Sequence, residues 1–136
     1  NESGDDQPLA VYERQLREVL DRIREAAPQA ACVLVGPSDR PMRDPESGAI
    51  VDRPRTGELV AVQRRVAVES GCGFFDLVAF SGGPLSMVAW SELDPPYAQR
   101  DLVHYTRLGY ERLGEVLLDA LLEGYEGGPL HSSADR

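Results

Sequence analysis

The chain has 136 residues, of which 14 are basic and 23 acidic, so its formal net charge is −9. This length predicts one small domain, and 42% hydrophobic residues are enough for a buried core. The acidic balance argues against partners such as nucleic acid or anionic membranes, because both attract Lys and Arg. All 14 basic residues are arginine, which excludes Schiff-base chemistry through a lysine of this chain and a P-loop lysine.

Three further classes of site or segment find no support in the sequence. No apolar run reaches the ~18 residues of a membrane-spanning helix, so we expect no membrane span. Cys32 and Cys72 are too few for a disulfide framework or a cysteine zinc site. We expect each cysteine to be a small buried apolar side chain. The two histidines, His104 and His131, lie far apart in unlike contexts, so no metal pair is expected.

The first half of the chain predicts a helix, a strand, a long loop and a second helix. Apolar residues recur at helical spacing over residues 8–27. The continuous apolar run at 31–35 predicts a strand that is covered on both faces, because it lacks polar alternation. Residues 38–56 are predicted to form a long loop rich in Pro, Asp, Arg and Gly. The second helix is predicted over 59–70, with Thr56 as its N-cap.

The second half predicts a short strand at 74–78, a helical turn at 85–90 and a last helix that Thr106 caps. The predicted buried face of that helix carries four apolar side chains, Tyr110, Leu113, Leu117 and Leu121. Helices alternating with strands indicate the α/β class. Two parallel strands are too few for a stable sheet with helices on both faces. We therefore expect further strands from another segment, or a larger domain of which this polypeptide is a piece.

The strongest chemical signal is Asp101 followed three residues later by His104, just ahead of the last helix. This spacing can place a carboxylate against the imidazole Nδ1–H, which fixes the tautomer and leaves Nε2 free as a general base toward a serine hydroxyl. The structural alternative is that Asp101 is a loop acid and His104 a residue near a helix start.

The stretch from Asp101 to Tyr110, D-x-x-H-x-T-x-x-G-Y, resembles the last sequence block of the SGNH/GDSL hydrolase family. Gly82-Gly83-Pro84-Leu85-Ser86-Met87, with Trp90 and Pro95-Pro96, is similar to a bacterial subgroup that includes carbohydrate and peptidoglycan O-acetylesterases. The resemblance implies a flavodoxin-like, three-layer α/β/α fold with a parallel sheet whose N-terminal strands are missing from this chain. Residues 1–123 would be the C-terminal part of the domain and 124–136 a loose tail.

For the site, the resemblance implies a Ser-His-Asp triad in which His104 is the base and Asp101 orients it. Asn1, in Asn1-Glu2-Ser3-Gly4, looks like the family asparagine that donates to the oxyanion. The Gly-Asp-Ser block with the nucleophilic serine has no counterpart, and Ser81 lies in Ala-Phe-Ser-Gly-Gly rather than G-x-S-x-G. We therefore expect no nucleophile in this chain, which would be inactive alone.

The implied substrate is a short acyl or acetyl ester, on a small molecule or a carbohydrate. The implied partner is an N-terminal segment or separate chain that carries the serine. No metal or organic cofactor follows from the resemblance.

A second class of function is a small non-catalytic α/β interaction module that uses the 38–56 loop or an exposed sheet edge. A phospho-acceptor receiver domain is a third option. It would need an acid-bearing first strand, and none precedes the opening helix in this sequence.

Overall fold

The computed structural model describes residues 7–126, with the side chains of residues 7–123. Helices and short strands alternate along this part of the chain, which confirms the α/β class. In chain order the elements are α1 (Leu9–Ala26), β1 (Val33–Val35), β2 (Met42–Arg43), β3 (Ile50–Val51), α2 (Pro54–Glu69), β4 (Gly73–Phe75), α3 (Leu77–Ser81), α4 (Ser86–Ser91) and α5 (Arg107–Glu126). Within these residues, no helix has the length and apolarity needed to cross a membrane.

The predicted parallel pairing is confirmed between β1 and β4, with Val33 opposite Gly73. Gly73 N–H donates to Cys32 O at 2.9 Å, and Gly36 N–H donates to Phe75 O at 2.8 Å. Because backbone groups alternate between the two edges of a strand, those of Val33 and Val35 point to the opposite edge. No strand within residues 7–126 pairs with that edge of β1.

One face of this sheet is covered by α1 and α2. Leu59 and Val66 of α2 are fully buried against Tyr12 and Leu20 of α1, and Leu34 packs on the same cluster. The other face is open among the described residues, where the side chains of Val33 and Val35 are 43% and 46% exposed. The prediction that β1 is covered on both faces is therefore wrong for this part of the structure.

The expectation for the cysteines is also wrong, because Cys32 and Cys72 form a disulfide. Each cysteine directly precedes a strand, and the parallel register sets the two side by side with 4.7 Å between their Cα atoms. A cysteine count could not show this, since the contact depends on which strands pair and in what register. The bond closes a crossover of 40 residues.

Three local boundaries differ from the sequence prediction. The 38–56 loop contains a small antiparallel hairpin in which Met42 of β2 pairs with Val51 of β3. Helix α2 begins at Pro54, whose fixed φ suits the first helical position, so Thr56 lies inside the helix and is not its cap. The second predicted strand ends at Phe75, because the Asp76 carboxylate accepts the Ala79 N–H at 3.0 Å and starts α3.

The last helix begins as predicted, since Thr106 Oγ1 accepts the Gly109 N–H at 3.2 Å. Its predicted buried face is only partly covered. Leu113 and Leu117 are half-buried, whereas Tyr110 and Leu121 are 54% and 47% exposed. The helix continues to residue 126, into the segment predicted as a tail, and residues 127–136 lie outside the described range.

Candidate active site

A second buried cluster holds the loop that carries Asp101 and His104. Met87, Ala98 and Tyr105 are almost fully buried together, with Trp90 packed against them. Backbone hydrogen bonds close the base of the loop, from Thr106 N–H to Tyr97 O at 2.9 Å and from Gln99 N–H to His104 O at 2.8 Å. The loop is therefore anchored on both sides while its tip stays at the surface.

Within this loop the structure brings Asp101 and His104 together. His104 Nδ1 lies 2.8 Å from Asp101 Oδ2. The other carboxylate oxygen, Oδ1, accepts the backbone N–H groups of Val103 at 2.9 Å and His104 at 3.0 Å. Leu102 takes a left-handed conformation at φ 57°, which tightens the turn between the two side chains. One carboxylate thus fixes both the backbone and the ring of the histidine.

The electrostatics of the pair suit an orienting carboxylate. The hydrogen bond with the His104 side chain, aided by the backbone N–H groups of His104 and Val103, holds the pKa of the Asp101 carboxyl at about 2. Asp101 is therefore ionised at neutral pH and stabilises positive charge on the imidazole. The side chains of His104 and Asp101 are 64% and 50% exposed, so Nε2 of the ring is accessible to a reacting group. Their catalytic roles remain predictions.

Close packing at Gly109 helps to seat the loop. A Cβ at this position would lie 2.1 Å from Tyr97 O and 3.1 Å from Tyr105 Cβ, so only glycine allows α5 to approach the loop backbone. This explains in physical terms why the motif carries glycine five residues after His104.

The other expected members of the site are not found among the described side chains. Asn1 lies outside the described residues. Ser81 and Ser86 are buried, and Ser86 Oγ donates a hydrogen bond to Ser81 Oγ at 2.9 Å. Neither serine hydrogen-bonds to His104. No group of three or more His, Cys, Asp or Glu side chains in the described part of the chain is placed to hold a metal ion.

Sequence reasoning missed a buried polar cluster behind the loop, formed by Asp39, Ser81, Ser86 and Tyr105. The available signal was the position of Asp39, four residues after β1. Ligands and catalytic groups of parallel α/β folds gather at the carboxyl ends of the strands.

Comparisons with known proteins identify the family. The sequence model of the GDSL-like Lipase/Acylhydrolase family matches residues 1–112, which include Asp101 and His104. A solved peptidoglycan O-acetylesterase is similar to this chain, with 26% sequence identity and a TM-score of 0.82. That match covers 94% of this chain and 36% of the esterase chain, so the chain spans about a third of that protein's length. No curated protein sequence matches. Because the family match covers most of the sequence and extends through the Asp-His loop into α5, the chain belongs to the GDSL-like lipase/acylhydrolase family.

Proposed function

We propose that this chain supplies the acid–base pair of a serine ester hydrolase. The observation that carries the proposal is the 2.8 Å contact between His104 Nδ1 and Asp101 Oδ2, made with the ring exposed. The second carboxylate oxygen is bonded to two backbone N–H groups, so the ring is held by a support that is itself fixed. A general base needs this kind of orientation before its pKa matters.

In the proposed reaction, His104 Nε2 removes the proton of a serine hydroxyl as its oxygen attacks the acyl carbon. Asp101 stabilises the imidazolium that forms. The imidazolium then gives its proton to the leaving alkoxide, and a water molecule releases the acyl group by the same steps in the second half of the cycle. We assign to Asn1 the donation of its side-chain N–H to the oxyanion of the tetrahedral intermediate.

The nucleophilic serine is proposed to come from a family segment that carries Gly-Asp-Ser, which is absent from these 136 residues. One edge of β1 supports this: no strand within residues 7–126 pairs with it, the backbone groups of Val33 and Val35 point to it, and their side chains are exposed on the open face. The larger size of the solved esterase supports it as well. The chain alone would then be inactive toward esters.

The substrate class is proposed to be a short acyl or acetyl ester, on a carbohydrate or another small alcohol. Two observations support it: the Gly82–Met87 segment, which resembles that of bacterial O-acetylesterases, and the similarity to a peptidoglycan O-acetylesterase.

The test compares the chain alone with the chain joined at its amino end to a Gly-Asp-Ser segment of the family, using a chromogenic acetate ester. We expect turnover only in the joined protein. There, His104→Ala should lower turnover by roughly 10⁶-fold, and Asp101→Asn by roughly 10⁴-fold.

The matched control is Asp44→Asn. Asp44 is half-buried and also caps a tight turn, with Oδ1 accepting the Ser47 N–H at 2.7 Å, but its carboxylate has no histidine partner among residues 7–123. This variant should keep full activity. Full activity in the joined His104→Ala protein would refute the assignment of the base.

The interaction-module alternative rests on the same free edge of β1. It predicts that the joined protein is as inactive as the chain alone, while the chain by itself is monomeric and unfolds cooperatively.

A further inference from the structure

A buried carboxylate lies behind the Asp-His loop and plays no part in the proposed reaction. Asp39 is 1% exposed, and its Oδ2 accepts the backbone N–H of Met87 at 3.2 Å. Burial raises the pKa of this carboxyl, and the nearby charge of Asp52 adds to the effect. The backbone N–H groups of Met87, Arg40 and Leu85 act in the opposite direction. Asp39 is therefore a buried acceptor for the Met87 N–H, which would lose its partner without the carboxylate.

The Met87 N–H lies just after a segment whose backbone needs support. Between α3 and α4, Gly82 and Gly83 have positive φ values, and so does Leu85 at 65°. A left-handed leucine is unfavourable and persists where its surroundings fix it. Asp39 accepts the Met87 N–H at the start of α4, directly after this strained turn, so it ties the loop that follows β1 to α4.

The same segment contacts the residue next to the histidine. Met87, whose N–H binds Asp39, packs against Tyr105 in a cluster that excludes solvent. Burial, the largest cause, raises the pKa of Tyr105 to about 12, and both Ser81 and Asp39 are close enough to affect it. Tyr105 directly follows His104, so the burial of Tyr105 fixes where the chain emerges at the surface with His104.

We propose that Asp39 is a positioning residue for His104, acting through Met87 and Tyr105. It holds α4 in the place where Tyr105 packs, and Tyr105 in turn holds the loop in which His104 meets Asp101. The catalytic meaning of this inference rests on the proposed function, but the contact from Asp39 to the loop is a property of this chain.

An apolar side chain at position 39 could not hold α4 in this way. It could fill the volume, but it would leave the N–H of Met87 buried and unsatisfied, which favours movement of α4. Asparagine keeps one acceptor oxygen and about the same volume, so it should preserve the Met87 contact in part. Asp39→Ala removes both the acceptor and the volume, so the series Asp39→Asn and Asp39→Ala grades the loss of the contact, and a volume-removing control elsewhere in the chain accounts for the lost packing.

The test uses NMR on the chain itself, below its unfolding temperature. Two signals report the loop: the backbone amide proton of His104, which is donated to Asp101 Oδ1 at 3.0 Å, and the pKa of Asp101, which the contact holds at about 2. In Asp39→Ala we expect protection of that proton to fall roughly tenfold as the loop opens more often. The pKa of Asp101 should rise toward its ordinary value. Asp39→Asn should lie between the wild type and Asp39→Ala.

Two controls separate positioning from loss of stability. Val66→Ala removes volume from the other buried cluster, between α1 and α2. It should lower stability without changing either of the two loop signals. Asp44→Ala removes a turn-capping carboxylate on the β2–β3 hairpin and should also leave both signals unchanged. If Asp39→Ala does not fold, the loop signals of Asp39→Asn are compared with those of Val66→Ala, and a change in Asp39→Asn alone supports positioning.

Asp39 variants that lose stability but keep both loop signals at wild-type values would overturn the proposal. Because these readouts need no esterase activity, failure here is distinct from failure of the proposed function. If the joined protein is inactive but the Asp39 substitutions change the two loop signals, only the proposed function is refuted. If the joined protein is active but those substitutions leave the two signals unchanged, only the role of Asp39 is refuted.

Discussion

The disulfide between Cys32 and Cys72 should make a large contribution to the stability of this chain. It closes a crossover with a sequence separation of 40 residues, which contains β1, the β2–β3 hairpin and α2. In the chain-entropy description, a closed loop of this size lowers the entropy of the unfolded state by about 13 cal/mol/K, or about 4 kcal/mol at 25 °C. Small domains are stable by only about 5–15 kcal/mol, so this is a large fraction of the total.

Urea unfolding followed by circular dichroism measures this contribution. The variant Cys32→Ala/Cys72→Ala should be less stable than the oxidised wild type by about 4 kcal/mol. Its m-value should be larger, because an unfolded chain without the cross-link exposes more surface. Reduction of the wild type is the matched control, since it breaks the bond and leaves the sulfur atoms against the core.

Two results would contradict this reasoning. One is wild-type protein, prepared without a reducing agent, in which two free thiols are titrated under denaturing conditions. The other is a midpoint that reduction does not move, which would mean that the strand pairing already restricts the unfolded chain as much as the disulfide does.

Two further predictions concern the Asp-His loop. Gly109→Ala should destabilise the chain by about 1–3 kcal/mol, because the new Cβ would lie 2.1 Å from Tyr97 O. Gly114→Ala, on the same helix with nothing within 4 Å, should stabilise it by up to ~1 kcal/mol, and thermal unfolding compares the two. The pKa of Asp101 is about 2 in the folded chain against 3.8 ordinarily, so its contact with His104 stabilises the fold above the ordinary pKa. That contribution is lost as pH falls toward 2, and in His104→Gln an NMR titration should find the Asp101 pKa closer to 3.8.

The sequence predicted well the features that depend on local spacing. Apolar periodicity placed α1 and α5 near their observed starts, and the hydroxyl of Thr106 caps α5 as expected. The three-residue step from Asp101 to His104 was enough to predict a contact between them, because both lie in one tight turn. These features need no knowledge of which distant segments meet.

The features that sequence analysis missed depend on tertiary pairing. The disulfide follows from the parallel register, which sets Val33 opposite Gly73 and so brings the preceding cysteines together. Asp39 reads as one acid in a polar loop, and only the approach of α4 turns it into a buried acceptor. No local pattern reports either contact, since each joins segments about 40 to 50 residues apart.

The sequence overestimated burial at Val33 and Val35, and this error bears on the proposed function. Apolarity shows which surface is stable only when covered, but it does not show which segment covers it. If a strand of a serine-bearing segment pairs with β1, the amides of Val33 and Val35 should exchange quickly in the chain alone and slowly in the joined protein. The amides of Gly36 and Gly73 are the internal control, because they already donate across the β1–β4 pair and should be protected in both. Fast exchange at Val33 and Val35 in a joined protein that hydrolyses esters would show that the serine reaches His104 by a route other than this edge.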